Sequence, residues 1–262
     1  MWNPIKITKS IHFILTEYGE GSDLKPVEKD SSGEVRINNV LSLYRELNFP
    51  FGFIMTLRNR RSKKGRDVLW GRNHNDKDFV DREVIPKLMD FANLKKLDKD
   101  TVGYRYYELV KDFGIQDLYE QRFTEEESRA TSFIDEIRTN ASRHALLTHD
   151  SWHVLSGYHT DPLGEALVQT ITAKCFNLKQ AHLVGFFGMI KVMRTTKSFL
   201  PFRCWLECLK IAKKIDPAFV FYGPLEFLNK NVHALRKQFN FQKPKIYNEY
   251  YQKYNLELSN TH

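Results

Sequence analysis

From residue 81 onward the chain repeats apolar residues at helical spacing and shows little two-residue alternation, which restricts it to an all-α fold. The helical segments run over residues 81–94, 101–113, 124–140, 143–156, 162–176, 181–194, 201–214 and 224–239. Their start signals have physical causes. Thr124 stands before Glu125, Glu126 and Glu127, a capping box with acids at the positive end of a helix. Asp161 stands before Pro162, a side-chain cap followed by a residue whose fixed φ suits the first helical position. The first 75 residues read differently. Residues 19–33, with Pro26 among glycines and serines, read as a loop; residues 38–47 have helical spacing; Phe49-Pro50-Phe51-Gly52-Phe53 ends it. The expectation is one multi-helix domain over residues 76–262, with a loop-rich extension over 1–75 packed on it or flanking it. A chain of 262 residues, 42% of them apolar, is long enough to bury such a core.

Within this helical frame, His149-Asp150-Ser151-Trp152-His153, eleven residues and then Glu165 carry the chemistry. His149 and His153 stand four apart, so on a helix they lie one turn apart on one face, where two imidazoles can share a cation. Asp150, three before His153, reaches the same side. Glu165 follows a turn signal at residues 157–161 and opens the next helical segment. An antiparallel pair of helices would bring it back towards His153. Leu146, Leu147, Trp152, Val154 and Leu155 make the first helix apolar on most faces, which argues for burial, and buried histidines and carboxylates need partners. Two imidazoles and two carboxylates suit a divalent metal, Zn first, with Fe or Mn also compatible. Two other readings stay open: an ordinary pair of histidines beside an unrelated Glu, and a metalloprotease of the HExxH kind. Asp150 is one methylene shorter than the general base that the protease needs.

The run HDSWHVLSGYHTDPLGE, followed by VGFFG at residues 184–188, closely resembles the coenzyme Q (ubiquinone) biosynthesis protein 4 family, which carries HDxxH, eleven residues and Glu with a GY-x-TDPLGE continuation. Weaker likeness extends to Gly103-Tyr104-Arg105-Tyr106-Tyr107 and to Leu225-Glu226 with Leu235-Arg236, covering roughly residues 100–242. Family members often carry arginines just before the HD pair; here the run is Arg143-His144-Ala145-Leu146-Leu147-Thr148. Residues 1–75 show no match. The resemblance implies a peripheral membrane protein that acts on a polyprenylated hydroxybenzoate. It implies removal of the ring carboxylate at C1, with hydroxylation there in the oxidative version. It places His149, Asp150, His153 and Glu165 in the roles of metal ligands and catalytic residues. It also implies partnership with other ubiquinone-biosynthesis proteins, and an alternative in which the chain is a non-catalytic lipid- or quinone-binding scaffold of a biosynthetic complex. A second copy of the chain, as a homodimer, is a further candidate partner.

Gly185, Phe186, Phe187 and Gly188 pair small residues with aromatic ones, which would let an isoprenoid tail or another helix approach closely. Phe202 and Trp205 lead into Lys210, Lys213 and Lys214, with Lys191, Arg194 and Lys197 nearby. That is either a helix for an anionic membrane surface or a solvated basic face over a core stripe.

The net charge of +8 calls for an anionic partner. Arg58, Arg60, Arg61, Lys63, Lys64 and Arg66 crowd one run, but no aromatic residue interleaves them and no nucleic-acid fold surrounds them, so nucleic acid is not expected. The cysteines, Cys175, Cys204 and Cys208, are odd in number and form no CxxC, which suits a reducing compartment; Cys204 and Cys208 share a helix face and read as packing. No apolar run approaches the ~18 residues that span a bilayer. The first twenty residues lack a basic region before a hydrophobic core, lack arginine and carry Glu17 and Glu20, so they read neither as a secretory signal nor as a transit peptide. These features point to a cytoplasmic protein peripheral to the inner membrane of a bacterium, with the matrix side of the mitochondrial inner membrane as the eukaryotic counterpart.

Overall fold

A computed structural model describes residues 4–17, 30–33, 36–38, 43, 77–111, 133–176 and 179–259. In chain order the helices are α1 (Pro4–Thr16), α2 (Ile85–Met89), α3 (Phe91–Leu94), α4 (Val102–Val110), α5 (Phe133–Ser156), α6 (Pro162–Cys175), α7 (Lys179–Thr196), α8 (Leu200–Ala212), α9 (Pro224–Phe227), α10 (Val232–Gln238) and α11 (Lys245–Ser259). A wide π turn at Val80–Val84 leads into α2, and a short 3-10 segment, Pro217–Phe221, precedes α9. The described residues contain no strand, and the fold class is all-α. The chain divides into two compact units: Met1–Phe49, Ser156–Ile215 and Phe241–His262 form one, Pro50–Leu155 and Asp216–Asn240 the other.

The first unit is built around α6. This helix is buried on nearly every side, from Leu163 and Ala166 through Leu167, Val168, Thr170 and Ile171 to Ala173 and Cys175. It packs on α7 and α8, α7 packs on α1, and α8 packs on α11. Gly185 explains the closeness of α6 and α7: a Cβ there would lie 2.1 Å from Thr170 Oγ1 and 2.8 Å from the Ala166 carbonyl oxygen. Phe13 and Ile14 of α1 close a small cluster with Leu43 and Val184. The buried Cys208 thiol donates to the Leu167 carbonyl at 3.4 Å, and burial pushes its pKa well above the ordinary thiol value, so it is a packing group.

The second unit gathers α2 to α5, α9 and α10. Thr101 caps α4 by accepting from the Tyr104 amide, and Gly103 N donates to the Leu228 carbonyl at 2.8 Å. A Cβ at Gly103 would meet that same oxygen at 2.8 Å and Leu97 at 2.6 Å, so the backbone approach requires glycine. Glu226 accepts from the Gly223 amide at 3.0 Å and so fixes the start of α9. Gly103 and Glu226, two outer residues of the sequence likeness, thus serve as backbone anchors.

Several boundaries differ from the sequence expectation. Residues 133–156 form one helix, where a break between 140 and 143 was expected; Asn140, Ala141 and Ser142 include neither proline nor glycine, and the ladder runs through them. The segment 81–94 is interrupted at Asp90, whose side chain caps α3 through the Asn93 amide. The segment 224–239 divides into α9 and α10 because Asn231 caps a new helix by accepting from the Ala234 amide. Helices α1 and α11 were not anticipated. In α11 the inward positions are Tyr247 and Tyr250, whose hydroxyls mask an apolar stripe. The capping box at 124–127, the break at 49–53 and the basic run at 58–66 lie outside the described residues, as do most of the segments 19–33 and 38–47.

Candidate metal centre

His149, Asp150 and His153 stand in the last two turns of α5, and Glu165 stands in the first turn of α6. The chain between them is stopped and restarted by local chemistry. Gly157 takes φ +79°, a left-handed conformation that ends α5 without a Cβ penalty. Asp161 then caps α6: its Oδ1 accepts from the amides of Leu163 and Gly164 at 3.1 and 3.2 Å, with Pro162 behind it.

The two imidazoles face one another, ring centroids 4.7 Å apart at 74°. His153 is buried, 1% exposed, whereas His149 is partly open. His149 and His153 lie on α5 in one compact unit, and Glu165 lies on α6 in the other. The Asp150 carboxylate lies 3.5 Å from Nδ1 of His149, although adjacent helix residues project about 100° apart. Two imidazoles one turn apart on one helix fit a divalent cation by donor chemistry and by spacing.

Further side chains hold α5 in place within its own unit. Arg236 donates to the carbonyls of Leu155 and Val154 at 3.0 and 2.9 Å, satisfying acceptors that the helix end leaves open. Nε2 of His144 lies 2.6 Å from the Val220 carbonyl oxygen, and Trp152 meets Phe219 edge to face. On the other side of the turn, the Tyr247 hydroxyl donates to Asp161 Oδ2 and accepts from the His159 amide at 2.9 Å. Tyr247 and His144 were invisible in the sequence as site residues because their partners lie far along the chain. Arg236 stood in the outer likeness, but nothing local marked it as a helix-end donor.

The four residues read as lipid-facing occupy ordinary packing positions. Gly185 meets α6, Gly188 is buried, Phe187 lies against the Phe13–Val184 cluster, and Phe186 contacts Phe187 and Trp205 at 5.4 and 5.3 Å. The basic amphipathic segment is α8. Its inward residues are Pro201, Cys204, Cys208, Ile211 and Ala212. Its outward side carries a second apolar stripe beginning at Phe199, 63% exposed, and ending at Leu206, 40% exposed. Phe202 and Trp205 join these rings at 4.9 and 5.9 Å. Arg194, Lys197, Arg203 and Lys210 are exposed nearby, while Lys191 donates to the Thr16 carbonyl and belongs to the packing of α1. Among the described residues no helix is long and apolar enough to cross a membrane.

These features define an all-α protein with a His–x3–His helix and a carboxylate at the start of the next helix. The chain belongs to the coenzyme Q (ubiquinone) biosynthesis protein Coq4 family, whose model matches residues 54–245. It is 23% identical over 189 residues to a mitochondrial ubiquinone biosynthesis protein COQ4 homolog of Aedes aegypti, covering 71% of this chain and 62% of that protein. It is 22% identical over 183 residues to the mitochondrial COQ4 of Kluyveromyces lactis, covering 70% and 50%. With the Zygosaccharomyces rouxii protein the figures are 24% over 170 residues, 62% and 46%. The chain therefore spans about half of the length of these curated relatives. A crystal structure of a candidate ubiquinone biosynthesis protein from Nostoc punctiforme shares the fold, with a TM-score of 0.60 over 93% of this chain and 100% of that one at 14% identity.

Proposed function

We propose that this chain serves ubiquinone biosynthesis by removing the C1 carboxylate of a polyprenylated hydroxybenzoate at a divalent metal held by His149, His153 and Glu165, with Asp150 beside them. The observation that carries the reading is the pair of facing imidazoles on α5, ring centroids 4.7 Å apart, with Glu165 in the first turn of the next helix. Bound there, a cation supplies Lewis acidity toward an anionic or phenolic oxygen. His153 brings a buried nitrogen that keeps water from one side of the centre, and the partly open His149 marks the side from which a substrate reaches it. Asp150 orients His149 and adds negative charge to the donor set. In the reaction the bond between the ring and its carboxylate breaks, carbon dioxide leaves, and the electron pair retained at C1 takes up a proton. In the oxidative version a hydroxyl replaces the carboxylate, which needs dioxygen and two electrons from an external donor, the second oxygen atom leaving as water. Zinc is the first candidate, ahead of iron and manganese, for the non-oxidative course.

The exposed Phe199–Leu206 stripe with its basic rim supports a place at an anionic membrane surface, where a polyprenylated substrate resides. The same exposed stripe supports the second reading, a non-catalytic scaffold of a ubiquinone-biosynthesis assembly, in which the metal ties helices together. Asp150→Asn separates the two. It nearly preserves shape and removes a charge next to the ligands. If the chain is the enzyme, the folded variant loses release of labelled carbon dioxide from a polyprenyl-hydroxybenzoate and keeps its melting temperature. If the metal is structural, melting falls on chelation and no ring acid is ever decarboxylated by the wild type, in air and with zinc, iron or manganese supplied.

A further inference from the structure

We infer that Tyr247 is a positioning residue for Glu165, acting through Asp161. The inference rests on the reading of Glu165 as a metal ligand. Tyr247 sits in the first turn of α11 and its side chain is fully buried. One hydroxyl ties both sides of the turn that precedes α6: it donates to the Asp161 carboxylate and accepts from the His159 amide at 2.9 Å. The other carboxylate oxygen of Asp161 holds the amides of Leu163 and Gly164, and the Asp161 carbonyl accepts from the amide of Glu165 at 2.9 Å. Tyr247, Asp161 and the first turn of α6 are therefore one hydrogen-bonded body with Glu165 at its edge.

The body has no slack. A Cβ at Gly164 would stand 1.9 Å from the His159 carbonyl oxygen and 2.8 Å from the Tyr247 hydroxyl. Tyr247 is itself fixed. Its ring meets Tyr158 edge to face at 4.9 Å, and Glu207 of α8 grips the start of α11 by accepting from the amides of Lys245, Ile246 and Tyr247 at 3.0, 3.0 and 3.3 Å. Burial, with the Asp161 carboxylate beside it, raises the phenol far above its ordinary range, so at neutral pH the hydroxyl stays a donor. Burial also raises Asp161, although the bonds from Tyr247, Gly164 and Leu163 oppose that rise. Tyr247 lies just beyond the residues 54–245 that match the family, so this anchor comes from outside the matched segment. Partners that orient a metal ligand from behind typically change metal affinity about 10–100-fold when removed.

The test uses the full chain with zinc chloride and manganese chloride, titrated against a chelating dye, beside melting of the metal-free protein. Tyr247→Phe keeps the ring and removes the hydroxyl. Its affinity for the metal that wild type binds is expected to fall ~10-fold or more. Val184→Ala, a core variant remote from the clasp, is expected to melt earlier with unchanged affinity, which separates positioning from general loss of stability. If Tyr247→Phe does not fold, Glu207→Gln, which weakens the hold on α11, is expected to lower affinity in the same direction by less. Glu165→Gln sets the scale for loss of the ligand itself. Wild-type affinity in both Tyr247→Phe and Glu207→Gln, with Glu165→Gln impaired, overturns the inference and leaves the metal reading standing. A wild type that binds neither metal overturns both.

Discussion

The turn from Gly157 to Glu165 and the outward face of α8 belong to one compact unit and treat their side chains in opposite ways. In the turn, each polar group that fixes the start of α6 has a partner: Asp161 holds two amides and Tyr247, and Tyr247 also holds His159. On α8, Phe199 and Leu206 stand in solvent, and the indole Nε1 of Trp205 has no hydrogen-bond partner among the described residues. The contrast separates two demands on one scaffold. A ligand carboxylate has to be held within a fraction of an ångström, which needs many short-range bonds. A surface that meets a lipid or a partner needs apolar area and charge, with little fixed geometry.

If that contrast is right, a small change in the turn has a large effect. Gly164→Ala places a methyl group on the His159 carbonyl oxygen, where overpacking costs about 1–3 kcal/mol, and metal affinity falls with it. Thermal melting with and without zinc measures both; an unchanged melting curve and affinity would mean that the turn is not the rigid body described. The α8 face predicts the reverse pattern. Phe199→Glu together with Leu206→Glu leaves melting within roughly 0.5 kcal/mol, as exposed substitutions do, and removes co-sedimentation with anionic vesicles. Wild-type binding should weaken as salt rises, because exposed charges are screened. Equal binding to neutral and anionic vesicles would sink the charge argument.

The smallest effect concerns pH. Burial, with Lys174 nearby, holds His182 below its ordinary imidazole value of 6.5. A histidine lowered in the folded state binds its proton more readily when unfolded, so the stability it contributes is complete above about 6.5 and is lost as pH falls below it. His182→Gln should therefore flatten the acid side of the melting profile slightly and leave metal affinity at neutral pH alone. A profile identical to wild type would remove His182 from the account.

What the sequence made legible follows from range. The His149–His153 spacing, the glycine stop at Gly157 and the Asp161–Pro162 start are local signals, readable because helix geometry converts spacing into direction. Asp150 shows the limit of that reasoning. It shares the stretch and projects about 100° from His149, yet its carboxylate lies 3.5 Å from that imidazole, a contact that spacing alone does not give. The join at residues 140–143 was lost because polar residues at mid-helix look like an end when the ladder cannot be seen. Tyr247 and Arg236 were out of reach for another reason: their partners, Asp161 and the last carbonyls of α5, are brought to them by packing that no local pattern encodes.

The separation of Tyr247 from Asp161 by 86 positions also says when the centre is completed during folding. The Gly157 turn and the start of α6 are neighbours in sequence, so their mutual contacts close only short loops. The hydroxyl clasp closes a long one, and its loop-closure entropy has to be met before the bond is gained. The start of α6 is thus shaped by contacts close in sequence, and the direction of Glu165 depends also on the long-range clasp that holds α11.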